Sequence, residues 1–168
     1  MTFKESVLAK LLMCANEYNK LIGIDFVITS KYFVNKDVYL LRFHKDNFLH
    51  LTGVTTKLYA EEFFCKCLHK TLKLEEFDCD NNDEIKGKVK EKMKNLSNIG
   101  NFFDRELIFQ ESFEKKRVKC EIATSDGKCT LEFIKIKNDV HVPLTLLNKN
   151  QIKIENAITN FKIEKVVK

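Results

Sequence analysis

The sequence predicts a single α+β domain over residues 1–168, in which helices are combined with a mainly antiparallel sheet. Three observations predict this class. Apolar residues repeat at helical spacing near the N-terminus and again after residue 84. Several other segments alternate apolar and polar residues, as the strands of a half-buried sheet do. The chain is 44% hydrophobic with 14 phenylalanines, which is enough for one core.

The first predicted elements are a helix and two strands. Thr2 and Glu5 have the spacing of a capping box, and apolar residues then repeat every three or four positions until Gly23. Residues 24–29 alternate as a strand does, and the loop after them can return the chain as a hairpin to a second strand that begins at Val38.

Two further helices are predicted in the middle of the chain. One runs from Thr55 to Leu72, and a lysine-rich one runs from Glu84 to about Asn98, capped by Asn82 or Asp83. The lysine-rich helix has only a narrow apolar stripe, so its outer face is positive. Such a face is typical of a solvated surface, and it would also suit phosphates or an acidic protein.

The clearest hairpin spans residues 117–136, with Asp126-Gly127 as a two-residue turn. In that register Ser125 faces Lys128. Two strand-like segments would complete the sheet, with Pro143 at an edge or bend: residues 140–147 and 151–167.

Composition and charge restrict the function classes. The net charge is +5, from lysines spread along the chain. A basic surface fits a nucleic acid or an acidic protein, although dispersed lysines are equally common on an ordinary exterior. No window approaches the ~18 apolar residues of a membrane span, and no signal peptide is recognisable. We therefore expect a cytoplasmic protein without membrane contact, whose six cysteines are reduced.

The most informative segment is VYLLRFHKDNFLHLTGV, residues 38–54, because a strand delivers two histidines and a His-Leu-Thr-Gly turn to one place. The histidines are His44 and His50. Imidazole exchanges protons near neutral pH, so a histidine beside a hydroxyl and a glycine suits proton transfer. A histidine in such a turn is also often a hydrogen-bonded structural residue, and both interpretations stay open.

The same segment resembles a known family. The FLHLTGV block, the following aromatic helix and the pattern CLxxxLxLEEF from Cys67 to Phe77 are similar to a phage- and prophage-borne family of the BECR nuclease fold, which groups barnase, EndoU, colicin and RelE-type ribonucleases. The resemblance covers roughly residues 20–150. It implies a curved antiparallel sheet and RNA cleavage that requires no metal or other cofactor, with His50 and Thr52 at matched positions.

The resemblance also implies roles for residues. In such a ribonuclease one group takes the proton of the 2′-hydroxyl, an acid protonates the leaving oxygen, and a cation stabilises the phosphorane. His50 would be the acid or base, and Thr52 would orient the phosphate or His50. His44, Arg42 or a nearby lysine would supply positive charge.

A second hypothesis keeps the fold without the chemistry. The protein would then be a non-catalytic phage inhibitor of a bacterial defence nuclease, of the anti-CRISPR type, that binds the defence protein complex or blocks its nucleic-acid channel. A histidine, a cation and a hydroxyl that converge in an open cleft favour the enzyme, whereas a buried or isolated His50 favours the inhibitor. The oligomeric state is left open by the sequence.

One constellation is not explained by the resemblance. Cys65 and His69 are four residues apart on the predicted helix, on the face opposite the apolar one, and Cys79 follows in an acidic loop. These three residues, with Asp78, Asp80 or another side chain as the fourth ligand, would suit a structural zinc ion that fastens the loop. The alternative is that they are ordinary reduced thiols and a surface histidine.

Overall fold

A computed structural model describes residues 1–168. It confirms the α+β class, with helices mostly in the first half of the chain and a mainly antiparallel sheet. The residues form two compact units. The helical unit comprises Met1–Ile22 and His44–Gly100, and the sheet unit comprises Gly23–Phe43 and Asn101–Lys168. The single domain expected from chain length stays a prediction. No helix combines the length and the apolar character needed to cross a membrane.

The elements are as follows in chain order. The helices are α1 (Phe3–Asn19), α2 (Phe48–Thr52), α3 (Ala60–Leu68) and α4 (Asp83–Leu96). The strands are β1 (Ile24–Thr29), β2 (Val38–Arg42), β3 (Thr55–Thr56), β4 (Phe77–Asp78), β5 (Ile108–Lys115), β6 (Val118–Ser125), β7 (Cys129–Lys135), β8 (Val140–Asn148) and β9 (Lys162–Val167).

The helical unit is organised around α1. The predicted capping box is present, since the Thr2 hydroxyl accepts a hydrogen bond from the Glu5 backbone N–H (3.1 Å) and the Glu5 carboxylate accepts one from the Thr2 N–H (3.2 Å). At the other end of α1, the ring of Tyr18 lies 5.3 Å from Phe48 and 5.6 Å from Phe64. This aromatic cluster fixes α2 and α3 against α1.

The predicted helix from Thr55 to Leu72 is shorter than expected. Thr55 and Thr56 do not cap it, because they form β3 and pair with β4. The Thr56 hydroxyl donates to the Glu76 carbonyl (2.6 Å) and accepts from the Leu58 N–H (3.1 Å), so it stabilises a turn that delays the helix until Ala60. In α4, by contrast, the predicted cap is confirmed: the Asn82 side chain accepts from the Ile85 N–H (2.8 Å).

The sheet unit contains seven strands in the order β5-β6-β7-β8-β2-β1-β9. Every neighbouring pair is antiparallel except β2 and β8. The sheet is curled: Glu111 of β5, at one edge, accepts hydrogen bonds from the Val34 and Asn35 N–H groups of the loop between β1 and β2 (2.7 and 3.1 Å). This confirms the curvature that the family resemblance implies.

The predicted hairpin of β6 and β7 is confirmed, but its predicted register is wrong by two residues. Ser125 pairs with Thr130 and not with Lys128. The cause is the Asp126 carboxylate, which accepts the N–H groups of Lys128 (2.8 Å) and Cys129 (3.0 Å) and so builds a longer loop. A shift of two preserves which side chains share a face.

The last strands also differ in part from the prediction. Of residues 151–167, only Lys162–Val167 form a strand. Pro143 lies inside β8, opposite Phe133, where the pairing with β7 shifts at an irregularity. A proline is tolerated in a central strand at such a bulge, because the ladder is already interrupted there.

Candidate active site

The His-Leu-Thr-Gly block forms the end of α2. Phe48 and Leu51 are fully buried and anchor this five-residue helix in the aromatic core. Gly53 follows with φ +78°, a left-handed conformation that ends the helix and favours glycine. The sequence predicted a turn here, and the structure shows a short helix with a glycine C-cap.

Thr52 holds this turn together. Its side chain is fully buried, and its hydroxyl donates to the Leu49 carbonyl (2.6 Å) and accepts from the Val54 N–H (3.2 Å). The hydroxyl is therefore used within the motif, and no surface of Thr52 is exposed to meet a phosphate. The predicted role of Thr52 as a phosphate ligand does not fit this geometry.

A lysine of α4 reaches the same end of α2. The Cδ and Cε atoms of Lys92 lie 3.0 and 3.6 Å from the point that a Cβ atom on Gly53 would occupy, and a Val89 methyl lies 3.6 Å from it. Gly53 thus lets α4 approach the motif closely. The cationic side chain of Lys92 therefore lies at the same end of α2 as His50.

His50 itself is solvent-exposed, and its ring makes no hydrogen bond or ion pair with the protein. It is carried on a backbone that is fixed from both sides, by the buried Phe48 and Leu51 and by the Thr52 hydroxyl. The arrangement presents an exposed imidazole on a fixed backbone.

His44 is placed differently. Its backbone N–H donates to the Asn47 side chain (3.1 Å), and its carbonyl accepts from the Tyr18 hydroxyl (2.6 Å). The ring is half-buried, and its Nε2 atom is buried without a hydrogen-bond partner. His44 therefore begins the turn that leads into α2. Its ring makes no contact with the ring of His50.

Arg42 lies in the sheet unit and is held by a carboxylate. Its Nε and Nη2 atoms donate to the two oxygens of Asp25 (2.7 and 2.8 Å), and Lys168 also pairs with Asp25 (3.3 Å). The hydrogen bond from Arg42 holds the pKa of the Asp25 carboxyl below its usual value, against the opposing effect of burial. This two-point pair ties β1 to β2 and occupies the guanidinium proposed to supply charge.

The predicted zinc ligands are not assembled. No group of three or more His, Cys, Asp or Glu side chains is positioned to hold a metal ion. His69 is the exposed C-cap residue of α3, and its backbone N–H donates to the carbonyl of the half-buried Cys65 (2.9 Å). Cys79 is fully buried just after β4. The three residues thus lie in different environments, and a zinc ion held by them stays a prediction.

The sheet unit contains a polar group that the sequence pattern did not reveal: the buried Tyr39 and His141 with the half-buried Glu111. The Tyr39 hydroxyl donates to the Glu111 carboxylate, and its ring centroid lies 5.3 Å from that of His141. His141 is fully buried, and both of its ring nitrogens lack a hydrogen-bond partner. Burial, followed by the charge of Lys36, lowers the pKa of His141, so its imidazole is neutral at pH 7.

The polar group has a signal in the sequence that is easy to pass over. His141 stands in VHVP, between two apolar residues of a strand-like run. Which residues surround it depends on the pairing of β8 with β2, where Leu41 is opposite His141. Tyr39 is 1% and His141 0% exposed, so neither ring offers a surface on which to meet a large substrate.

Comparison with known proteins agrees with the curled sheet and the family resemblance. No curated protein and no solved structure shows significant similarity to the chain. One family model matches it, over residues 10–168, and that match covers both units. The chain belongs to the family described as phage-Barnase-EndoU-ColicinE5/D-RelE like nuclease4.

Proposed function

We propose that the protein is a metal-independent ribonuclease in which His50 is the general acid or base. The observation that carries this proposal is the exposed ring of His50 on a fixed helix end, with the cationic Lys92 side chain reaching the same end of α2, in a chain of a nuclease-like family. A histidine and a cation thus lie at one helix end, which is part of the convergence that favours the enzyme. The backbone and hydroxyl groups of the motif are used to fix the turn, which leaves the imidazole available for chemistry.

The other histidines support the choice by contrast. His141 is fully buried, and the Nε2 atom of His44 is buried. His69 is exposed as well, and its backbone N–H donates to the Cys65 carbonyl (2.9 Å), but it lies at the end of α3, outside the FLHLTGV block. Among the four histidines of the chain, His50 therefore combines exposure and a fixed backbone with a place in that block. Positioning of this kind is what an acid or base needs to be effective.

The proposed step is transfer of the phosphoryl group to the neighbouring ribose oxygen. The 2′-hydroxyl attacks the phosphorus, its proton passes to a base, and the bond to the 5′-oxygen breaks as that oxygen is protonated. The products are a 2′,3′-cyclic phosphate and a 5′-hydroxyl. His50 moves one of these protons, and Lys92, at the same end of α2, places positive charge where the phosphorane develops.

The test compares two exposed histidines. His50→Ala should reduce the rate of RNA cleavage by about 100-fold or more, as expected for the loss of an acid or base, while the matched variant His69→Ala retains the wild-type rate. Both assays contain EDTA, and the products are examined for the cyclic phosphate. An equal rate in the two variants, or cleavage by the wild type that EDTA abolishes, would reject the proposal.

A second candidate function is the non-catalytic inhibitor. The observation that favours it is the outer face of α4, where Lys88, Lys90 and Lys94 are exposed while Val89 and Met93 are buried. This row of cations would bind an acidic protein surface or compete for a nucleic-acid channel of a defence nuclease. A wild-type protein that cleaves no RNA but inhibits such a nuclease, and loses inhibition in Lys90→Ala/Lys94→Ala, would establish this function instead.

A further inference from the structure

A cleft in the sheet unit lies where the loop between β1 and β2 meets the start of β9. Its volume is about 460 Å³, which is within the usual range for ligand sites. Six of the eight residues that line it are polar: Thr29, Ser30, Lys31, Asp37, Asn160 and Lys162. None of these residues belongs to the candidate active site, which lies in the helical unit.

The cleft carries positive charge that the protein does not neutralise. Lys31 and Lys162 are exposed, and neither forms an ion pair, unlike Lys165 of the same strand, which binds Asp104. Asp37 also lines the cleft, so its net charge is smaller than two lysines alone would give. A carboxylate beside two cations accepts hydrogen bonds from hydroxyl or amino groups while the ammonium groups attract phosphate. The combination suits a nucleotide better than a bare anion.

An aromatic ring lies beside these charges. Tyr32 is 53% exposed, which is unusual for a large apolar side chain in a loop. The Lys31 ammonium group lies 5.3 Å from the centre of its ring. An exposed aromatic face next to unpaired lysines is the usual surface on which proteins bind single-stranded nucleic acid, because bases stack on the ring and phosphates meet the cations.

The loop that carries Lys31 and Tyr32 is ordered by side-chain contacts. The Ser30 hydroxyl donates to the Asn160 carbonyl (2.6 Å) and accepts from the Tyr32 N–H (3.1 Å). Further along, the Glu111 carboxylate accepts from two backbone N–H groups of the loop, and Phe33 packs edge-on against Tyr39 at 4.9 Å. A surface fixed in advance loses little conformational entropy when it binds.

We infer that this cleft is a binding subsite for single-stranded RNA. Lys31 and Lys162 contact successive phosphates, Tyr32 stacks on a base, and Asp37 accepts a hydrogen bond from the nucleoside. The inference rests on the proposed function, since it supplies the substrate contact for an RNA-cleaving enzyme. It goes beyond that function by placing part of RNA binding on residues of the sheet unit.

The experiment measures binding without cleavage. The full chain is titrated into a fluorescein-labelled 2′-O-methyl RNA of about ten nucleotides, whose blocked 2′-oxygen cannot attack the phosphate, and anisotropy is recorded at several salt concentrations. Lys31→Ala/Lys162→Ala should raise the Kd at least tenfold. The salt dependence should weaken as well: the slope of the logarithm of the association constant against log salt should become less negative by about 1.4, since each phosphate contact to a single strand contributes ~0.7.

The matched control is Lys10→Ala/Lys153→Ala, which removes the same charge from two exposed lysines elsewhere in the chain and should change the Kd less than threefold. Tyr32→Leu should weaken binding by about tenfold, whereas Tyr32→Phe, which keeps the ring, should bind as the wild type does. The melting temperature of each variant checks that the fold is retained.

Three results would overturn the inference: no binding of this RNA by the wild type, unchanged binding by Lys31→Ala/Lys162→Ala, or an equal loss in the control Lys10→Ala/Lys153→Ala. The proposed function fails by a different result, namely an absence of cleavage of ordinary RNA. Because the binding assay contains no cleavable bond, a protein that binds at the cleft but does not cleave would retain the subsite and lose only the ribonuclease activity.

Discussion

Two buried titratable side chains of the sheet unit differ in their charge at neutral pH. Asp25 is 6% exposed, but it receives two hydrogen bonds from Arg42, so its charge is retained. His141 is more deeply buried and has no partner for either ring nitrogen. Desolvation therefore favours its neutral form, and an unpaired polar group of this kind costs about 1–3 kcal/mol of stability. The difference makes stability depend on pH.

The first prediction concerns His141. A free histidine binds its proton near pH 6.5, whereas the lowered pKa of His141 means that the folded protein binds it only at lower pH. The unfolded chain thus carries more protons between these two pKa values, and the stability of the wild type falls as the pH decreases below about 6.5. We expect the stability of His141→Leu to fall less than that of the wild type between pH 7 and pH 5.

Urea denaturation at pH 5, 6 and 7 measures this difference. The charges near His141 oppose one another, since Lys36 and Lys135 lower its pKa and Glu121 and Asp139 raise it. The control is His69→Leu, an exposed position at which the pH dependence should follow that of the wild type. Identical pH dependence in His141→Leu and the wild type would show that His141 is not the cause.

The second prediction concerns Gly53. Its φ of +78° costs a residue with a side chain about 1–2 kcal/mol, and a new Cβ would lie 3.0 Å from Lys92 Cδ. Gly53→Ala should therefore destabilise the protein by about this amount. Gly87→Ala, in the exposed middle of α4 with no atom within 4 Å of the new Cβ, should instead stabilise it by about 0.5–1 kcal/mol.

Thermal and urea unfolding of both variants measure these changes in stability, to which the positive φ of Gly53 and the close approach of Lys92 can both contribute. If the close approach of Lys92 matters, Lys92→Ala should reduce the loss caused by Gly53→Ala, because the contact is with a flexible side chain. A Gly53→Ala protein as stable as the wild type would mean that the end of α2 adapts, and the fixed backbone assigned to His50 would then be absent.

At the scale of elements, features that depend on neighbouring residues were predicted correctly, and features that depend on distant contacts were not. The capping box of α1 and the Asn82 cap of α4 depend on residues three positions apart, and both are present. The start of α3 depends on Thr56, whose hydroxyl bonds to Glu76 twenty residues later. A contact of that kind has no signature in the local pattern, so the helix was predicted five residues too early.

The candidate site shows the same limit. Its position at the end of a strand and its glycine were evident from the HLTG block, because turn chemistry is local. The commitment of Thr52 to Leu49 and Val54, and of Arg42 to Asp25, depends on geometry that the spacing leaves open. The zinc hypothesis combines both kinds of signal: the (i, i+4) spacing of Cys65 and His69 is local, whereas the position of Cys79 depends on the pairing of β3 with β4.

At the scale of the whole molecule, residues that are distant in the sequence belong to the same unit. Each unit is built from two separate parts of the sequence. Strands β1 and β2 follow α1, and β5–β9, which complete the same sheet, follow α4. The proposed acid or base lies in one unit and the proposed RNA subsite in the other. Loss of RNA binding and loss of cleavage can therefore be produced by different variants, which is what the two experiments above exploit.

The last prediction covers the cysteines of both units. Five of the six are buried: Cys14, Cys67, Cys79, Cys120 and Cys129. Burial raises the pKa of Cys79 to about 11 and that of the other four to about 12. Since the thiolate is the reactive form, a rise of about three pKa units leaves roughly a thousandth of it. Cys65 alone is partly exposed.

We therefore expect one thiol per chain to react quickly with Ellman's reagent at pH 7.5, and six after unfolding in guanidinium. Cys65→Ser should abolish the fast reaction, and Cys79→Ser, the control, should leave it unchanged. The same assay tests zinc: protection of Cys65 on adding zinc, with loss of that protection in Cys79→Ser, would mean that α3 and the loop after β4 rearrange around a metal. Fast reaction of a second thiol in the native protein would show instead that the cores of the units open far more readily than their burial indicates.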